Sequence, residues 1–377
     1  MKSKDKLIKI LISVSLAFAI FVSAFFFTEE FMKAGAKLAL FSLQMMLPTS
    51  RSEEVPQKSE TTEKETTQKV TESEKTTEIK DTQQVSLFKS FADTPDDIAA
   101  LIKKEKAILS DEKKDGNIRE KTYTTEGVTD KYSGVRMKNV NKTQVSLKEI
   151  LSEKIDLSVT KKKPSVLIFH THTTETYPIL EKSYYPVGFK TRSNDKARNM
   201  VRVGEAITEE IEKAGFSVIH DKEIHDSKYT GAYAKSRETV EGILKENPTI
   251  QVALDIHRDA IQDSDGTKVK PTVKVKGKKA AQIMIISGCQ EEGNPITNLP
   301  DWRYNLTFAV HLQEKLEKLF PGITRPLYFC PRSYNTNVTH CSLLIEVGSD
   351  SNTLEEAVYT GKCIGVALSE ILEEYEE

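Results

Sequence analysis

Four cysteines stand in 377 residues, Cys289, Cys330, Cys341 and Cys363, and no two of them make a C-x-x-C pair. That spacing excludes a cysteine-clamped metal cluster and a dithiol redox motif, and buried free thiols are expected ahead of a disulfide. An excess of charge of either sign is also missing. Lys and Arg total 54 against 56 Asp and Glu, a net charge of −2. No concentrated basic surface stands out, so no nucleic acid is expected as a partner. From Thr49 to Gln84 the aliphatic and aromatic residues all but vanish, leaving Glu, Lys, Thr, Ser and Gln. Such a segment cannot bury enough apolar surface to offset the entropy of ordering, and a disordered tether is expected there. No internal repeat is evident, so the rest is read element by element.

What is present begins with a membrane signal. Lys2, Lys4, Lys6 and Lys9 precede or enter an otherwise uncharged run from Ile10 to Phe27, which has about the length needed to cross a hydrocarbon core. A single-pass anchor is expected, with its amino terminus cytoplasmic and the remainder exported to the outside. Val22-Ser-Ala24 would suit cleavage of a signal peptide, but the run exceeds a usual signal-peptide core. Leu38 to Leu47 reads as an amphipathic helix on or near the membrane. The tether, about 35 residues of flexible coil, would reach on the order of 30 Å.

The expected organisation is therefore 1–48 for the cytoplasmic tip, transmembrane anchor and juxtamembrane helix, 49–85 for the linker, 86–160 for a helical lead-in and 161–377 for a catalytic α/β domain. In the lead-in, Thr94-Pro-Asp-Asp97 offers a helix start and Ser146-Leu-Lys-Glu149 matches a capping box. Beyond it strand and helix signals alternate, which predicts a mostly parallel sheet with flanking helices. Strands are predicted at Val166 to His170, Phe216 to His220, Val252 to His257, Leu327 to Cys330 and Ser342 to Val347. Helices are predicted at Ala197 to Ala214, Ala232 to Lys245, Asn305 to Leu319 and Leu354 to Glu373. Pro271 to Val275 and Ala281 to Ile286, around Lys276-Gly-Lys-Lys279, read as a hairpin.

The chemistry gathers at strand ends. Val166-Leu-Ile-Phe-His-Thr-His-Thr-Thr-Glu175 delivers two histidines and a carboxylate after an apolar run, the place where α/β enzymes keep their sites. His172 and Glu175 form an H-x-x-E pair, and His257 ends a second apolar run, Gln251-Val-Ala-Leu-Asp-Ile-His257. Two histidines and a glutamate are a zinc ligand set that leaves a fourth position for water. His170 is assigned a role in orienting ligands or substrate, with direct ligation as its rival. Glu346 lies deep in the last apolar strand and is the candidate acid or base. Around His257, one acid could orient an imidazole, and Arg258 could hold a substrate carboxylate or pair with Asp259. His220, Asp221, His225 and Asp226 read as a solvated loop, Asn335, Asn337 and His340 as possible cleft residues, and His311 as an ordinary helix residue.

An anchor, a tether, Phe169-His-Thr-His-Thr-Thr-Glu-Thr-Tyr177, Leu254-Asp-Ile-His-Arg-Asp259 and Leu343-Leu-Ile-Glu-Val-Gly348 follow one another in this order. In that combination the chain resembles the stage II sporulation protein P family. The resemblance implies a membrane-anchored peptidoglycan hydrolase of endospore formers, an N-acetylmuramoyl-L-alanine amidase and cross-link endopeptidase acting in engulfment at the sporulation septum and engulfing membrane. It also implies stage II sporulation proteins D and M as partners. More distantly the pattern is similar to zinc amidases of the cell wall, which implies His172, His257 and Glu346 as site residues. There the glutamate ligand lies on the first long helix, where this chain offers Asp195, so Glu175 and Asp195 compete for that role. The rival functions are a non-catalytic wall-binding scaffold and a zinc carboxypeptidase.

Overall fold

Strands and helices alternate through most of the computed structural model, which describes residues 91–377 except 109–111, 292 and 294–297. The expected anchor, juxtamembrane helix and tether lie outside the described residues. Among the described residues no helix is long and apolar enough to cross a membrane.

The elements run α1 (Asp96–Ala107), β1 (Lys114–Lys121), β2 (Asp130–Tyr132), β3 (Val135–Asn139), α2 (Leu147–Ile150), β4 (Pro164–Phe169), β5 (Tyr184–Pro186), α3 (Met200–Lys213), β6 (Ser217–His220), α4 (Ala232–Glu246), β7 (Val252–Asp259), β8 (Lys268–Val275), β9 (Lys278–Ala281), β10 (Ile283–Gly288), α5 (Trp302–Leu319), β11 (Leu327–Cys330), β12 (Cys341–Ser349) and α6 (Leu354–Glu374). The main sheet has eight strands in the order β2-β3-β11-β10-β12-β7-β4-β6. Its pairs are parallel except β2 with β3 and β10 with β12. A second sheet of four strands runs β5-β1-β8-β9.

Strand alternation sorts the side chains of the central strands onto two faces. Val166, Ile168, Leu254, Ile256, Leu343 and Ile345 share one large core with α3, α5 and α6. Leu167, Phe169 and Ala253 point the other way and pack against Val240, Ile243 and Leu244 of α4. The sheet is thus covered on both sides at its β4–β7 half, as a parallel sheet requires. Helix α6 starts in a full capping box, with Thr353 accepting from Glu356 N and Glu356 returning the bond. All four cysteines are buried and free.

Two expectations about the early chain change. The lead-in holds strands as well as helices: β1 joins the second sheet and β3 joins the main one beside β11. Its anchor to the rest is nonetheless apolar, because Ile98, Leu147 and Ile150 belong to the large core. The Ser146 capping box does not close, since Ser146 makes no side-chain cap bond and Asp130 instead accepts from Leu147 N at 2.9 Å. The hairpin turns at Lys276 and Gly277, both at positive φ, as a two-residue turn between twisted strands demands. Its second arm stops at Ala281, however, and beyond Gln282 the chain crosses into the main sheet as β10.

Candidate functional site

Strand β4 ends at Phe169, so the alternation that would point His170 and His172 the same way is broken. The two imidazoles go to opposite sides of the sheet. His170 turns toward α3, where its Nδ1 donates to Ile256 O at 3.0 Å and its Nε2 meets His220 Nε2 at 2.9 Å. A Cβ on Gly204 of α3 would lie 2.7 Å from His170 Nε2 and 2.5 Å from His220 Nε2, so only glycine fits against the pair. Burial holds both rings neutral, lowering His170 to about 4 and His220 to about 2. His170 therefore has both nitrogens committed within the fold, which leaves its imidazole no free atom for a ligand or substrate.

His172 faces α4. Its ring stacks on Tyr229 at a centroid distance of 4.8 Å and meets the edge of His257 at 5.3 Å. Its Nδ1 is buried without a hydrogen-bond partner and lies 3.8 Å from Asp226 Oδ2. Burial, with His257 and Arg192 adding, lowers its pKa to about 4 and so keeps the ring neutral. Glu175 enters the same space: its Oε2 is 3.8 Å from His257 Nδ1 and accepts from Arg258 N at 3.2 Å. Burial raises the Glu175 carboxyl, against the pull of Arg258.

His257 comes from β7, and on its far side Nε2 approaches Asp255 Oδ1 to 2.7 Å. The approach lies off the N–H direction, for Nε2 has no aligned hydrogen bond, and it is better described as an ion-pair contact. Asp255 is itself fixed by Thr171, which donates from N at 2.8 Å and from Oγ1 at 2.6 Å. Burial opposes charge on His257, but Asp255, Glu175 and Glu346 outweigh it and raise the ring to about 9. Three carboxylates around one imidazole make this a site that favours a cation.

Glu346 stands directly opposite His257 in the β7–β12 register, on the same face. Its Oε2 is buried and has no partner. Burial, with Asp259 and Glu175 adding and His257 and Arg325 opposing, pushes its carboxyl up to about 8. Immediately after it the pairing shifts register, and Gly348 takes φ 64°, where a Cβ would meet Asn352 Oδ1 at 2.4 Å. The kink lies within β12, just beyond Glu346.

Arg258 is spent on main-chain oxygens: Nε donates to Thr176 O at 2.8 Å, NH1 to Asp259 O at 3.2 Å and NH2 to Thr191 O. It ties the Glu175 loop to β7 and has little left for a substrate carboxylate. Asp259 pairs with Arg325 at 2.8 Å, not with the Arg258 guanidinium. Asp195 is exposed, accepts from Ala197 N at 3.0 Å and pairs with Arg198 at 3.5 Å, a local turn before α3. Asn335 donates to Tyr233 O at 2.8 Å and Asn337 to Asn298 O at 2.9 Å, while His340 stacks on Tyr304 at 4.2 Å. Those three residues fasten the loop before β12. His311 packs within its helix and bonds Glu153 O at 2.9 Å.

The loop after β6 corrects a reading. His225 and Asp226 are buried, not solvated, because β6 lies beside β4 and delivers its loop to the same sheet edge. Asp226 accepts from Thr174 N at 3.0 Å and Thr174 Oγ1 at 2.7 Å and binds Arg192 NH1. Arg192 and Asp226 thus clamp the His172–Glu175 turn; the sequence marks Asp226 only as part of a solvated loop and does not mark Arg192. Among the described residues, the group whose ligand atoms all fall within 4.8 Å of one another is Asp221, Glu223 and His225 in this same loop. His172, Glu175 and His257 are adjacent to one another but less tightly drawn together.

The solved structures that the chain resembles include the CwlD amidase of Clostridioides difficile in complex with the GerS lipoprotein, at 15% identity over 56% of this chain and 99% of that one with a TM-score of 0.36. They also include the N-acetylmuramoyl-L-alanine amidase AmiC2 of Nostoc punctiforme, at 11% identity over 58% and 98% with a TM-score of 0.34. Among curated proteins, stage II sporulation protein P of Bacillus subtilis (strain 168) is 28% identical over 207 residues, 52% of this chain and 47% of that protein. The matched part thus spans about half the length of that relative. The family profile described as Stage II sporulation protein P (SpoIIP) matches residues 24–369, and with nearly the whole sequence covered, the chain belongs to this family.

Proposed function

We propose that the chain is a zinc-dependent peptidoglycan hydrolase, an N-acetylmuramoyl-L-alanine amidase with endopeptidase activity on cross-links, acting in engulfment during sporulation. The observation that carries this reading is the buried meeting of His172, Glu175 and His257 with Glu346 in register beside His257. The residues suit a zinc ion: a neutral His172 with an orphaned buried nitrogen, one carboxylate, and His257, whose surrounding carboxylates favour a cation that the metal would supply in place of the ring proton. His172, Glu175 and His257 would hold it. Bound there, zinc would polarise the amide carbonyl and lower the pKa of water toward ~7.

The protein's own side chains do the rest. Asp255 stands behind His257, and Asp226 acts on His172 through the turn, by holding Thr174 and Arg192. Glu346 is held up to about 8 by burial and its acidic neighbours; a cation at the site would favour its ionised form, in which the free Oε2 would take a proton from the attacking water and return it to the departing nitrogen. Tyr229 stacks on His172 and Tyr233 meets its edge, and together they hold the ring in place. Family membership supports peptidoglycan as the substrate and stage II sporulation proteins D and M as partners. The amino-terminal sequence supports an anchor in the cell membrane with the catalytic domain outside. To test the reading, the purified chain in detergent is incubated with peptidoglycan, with and without chelator, beside His257→Ala. Release of soluble wall fragments that stops with chelator and is absent in the folded variant is expected; fragments released at the parent rate by His257→Ala would overturn it.

A further inference from the structure

The loop after β6 carries ligand-type side chains that the proposed reaction does not use. His225 Nδ1 lies 2.9 Å from His170 O, and since a carbonyl only accepts, the neutral ring has its proton there. Nε2 then keeps its lone pair. It faces Asp221 Oδ2 at 3.4 Å and Thr239 Oγ1 at 3.2 Å. The Asp221 side chain is 8% exposed, and its Oδ2 is buried with no hydrogen-bond partner, while Oδ1 accepts from Glu223 N at 3.0 Å. Glu223 completes the group from the solvent side, its Oε2 only 3.5 Å from Thr239 Oγ1. A nitrogen lone pair and a carboxylate oxygen facing each other across a buried gap repel unless a proton or a cation lies between them.

We propose that Asp221, Glu223 and His225 form a second divalent-cation site, separate from the catalytic one and structural in role. One imidazole with two carboxylates suits a borderline first-row ion such as Zn²⁺ better than Ca²⁺ or Mg²⁺, which prefer shells made of oxygen alone. The site's position gives it a task. Thr173 Oγ1 donates to Glu223 O at 2.7 Å and accepts from His225 N at 3.3 Å, and the next residue, Asp226, holds Thr174. A cation here braces the segment that clamps the His172–Glu175 turn from outside.

The test counts zinc. The full chain in detergent is dialysed against Zn²⁺ and its metal content measured for the parent, Asp221→Asn, Glu223→Gln, His257→Ala and the double variant Asp221→Asn with His257→Ala. Two ions are expected in the parent, one in each of Asp221→Asn and His257→Ala, and none in the double variant. Glu223→Gln changes an exposed side chain and cannot cost the fold; it is expected to weaken one of the two sites by on the order of tenfold. A parent holding one ion that vanishes in His257→Ala overturns the second site, leaving a protonated His225–Asp221 pair in its place. So does a parent holding two ions that Asp221→Asn and Glu223→Gln bind unchanged. One ion kept in His257→Ala and lost in Asp221→Asn would instead sink the catalytic zinc while retaining this site.

Discussion

His257 of the candidate site has a carboxylate behind it, Asp255, while Asp226 clamps the turn that carries His172, and Glu346 stands apart with a free oxygen. That division of labour separates ligand from base. Glu346→Gln is expected to keep its zinc and fold but lose a factor on the order of 100 or more in turnover, the usual scale of acid and base contributions. Glu175→Gln, by contrast, loses a charge opposing the metal and is expected to lose zinc affinity. Zinc content and single-turnover rate on both variants check this, and loss of zinc in Glu346→Gln with retention in Glu175→Gln would reverse the roles. Asp226→Asn, which removes the charge that holds Arg192 and Thr174, is expected to weaken zinc binding by about 10-fold through a looser His172–Glu175 turn; unchanged zinc affinity by competition with a chromophoric chelator would contradict that role. His257 and Glu346 could be read as neighbours from the ends of two apolar runs. Asp226 could not, because nothing local to a polar loop says that it folds back over another strand's end.

At the level of elements, legibility followed burial. The late strands and helices carry apolar runs long enough to announce themselves, and α4 and α6 begin at the residues their sequence suggests. Strand β1, Lys114-Asp-Gly-Asn-Ile-Arg-Glu-Lys121, is largely exposed, and a polar edge strand takes its form from its partners, not from its own residues. Two element-scale contacts are open to test. Gly204→Ala in α3 would drive a methyl against the His170–His220 pair and is expected to cost roughly 1–3 kcal/mol, the usual penalty for overpacking, seen as a lower unfolding midpoint. A midpoint equal to the parent's would show that the pair is looser than described. Helix α1 is tied to α3 by Asp97, whose carboxyl Arg202 holds below its ordinary value of 3.8 through a hydrogen bond at 2.6 Å. A lowered folded value means stability that is complete above 3.8 and is lost as pH falls through the folded value. Because Asp97 is half exposed, solvent screening limits the loss to roughly 0–1 kcal/mol. Asp97→Asn should remove that small acid-side slope in urea unfolding, and a slope unchanged in the variant would exclude this pair as its source.

For the whole molecule, the expected anchor and polar tether lie outside the described residues, which hold the lead-in and the α/β domain. A linker without packing residues should tolerate a scrambled sequence of equal length between Thr49 and Gln84, whereas strong shortening should impair function through lost reach. Sporulation that fails with a scrambled linker, at normal protein level and anchoring, would point to a binding motif in that stretch. The central claim, that this fold cuts the amide between sugar and peptide with zinc, is tested most directly by the chemical ends it creates. Purified peptidoglycan digested by the full chain, with zinc and then with chelator, is analysed by mass for new termini. The account expects peptides with a free L-alanine amino terminus and glycan strands with intact lactyl groups, both absent under chelator; a digest whose only new ends are peptide carboxyl termini, or one that proceeds unchanged without metal, would contradict it.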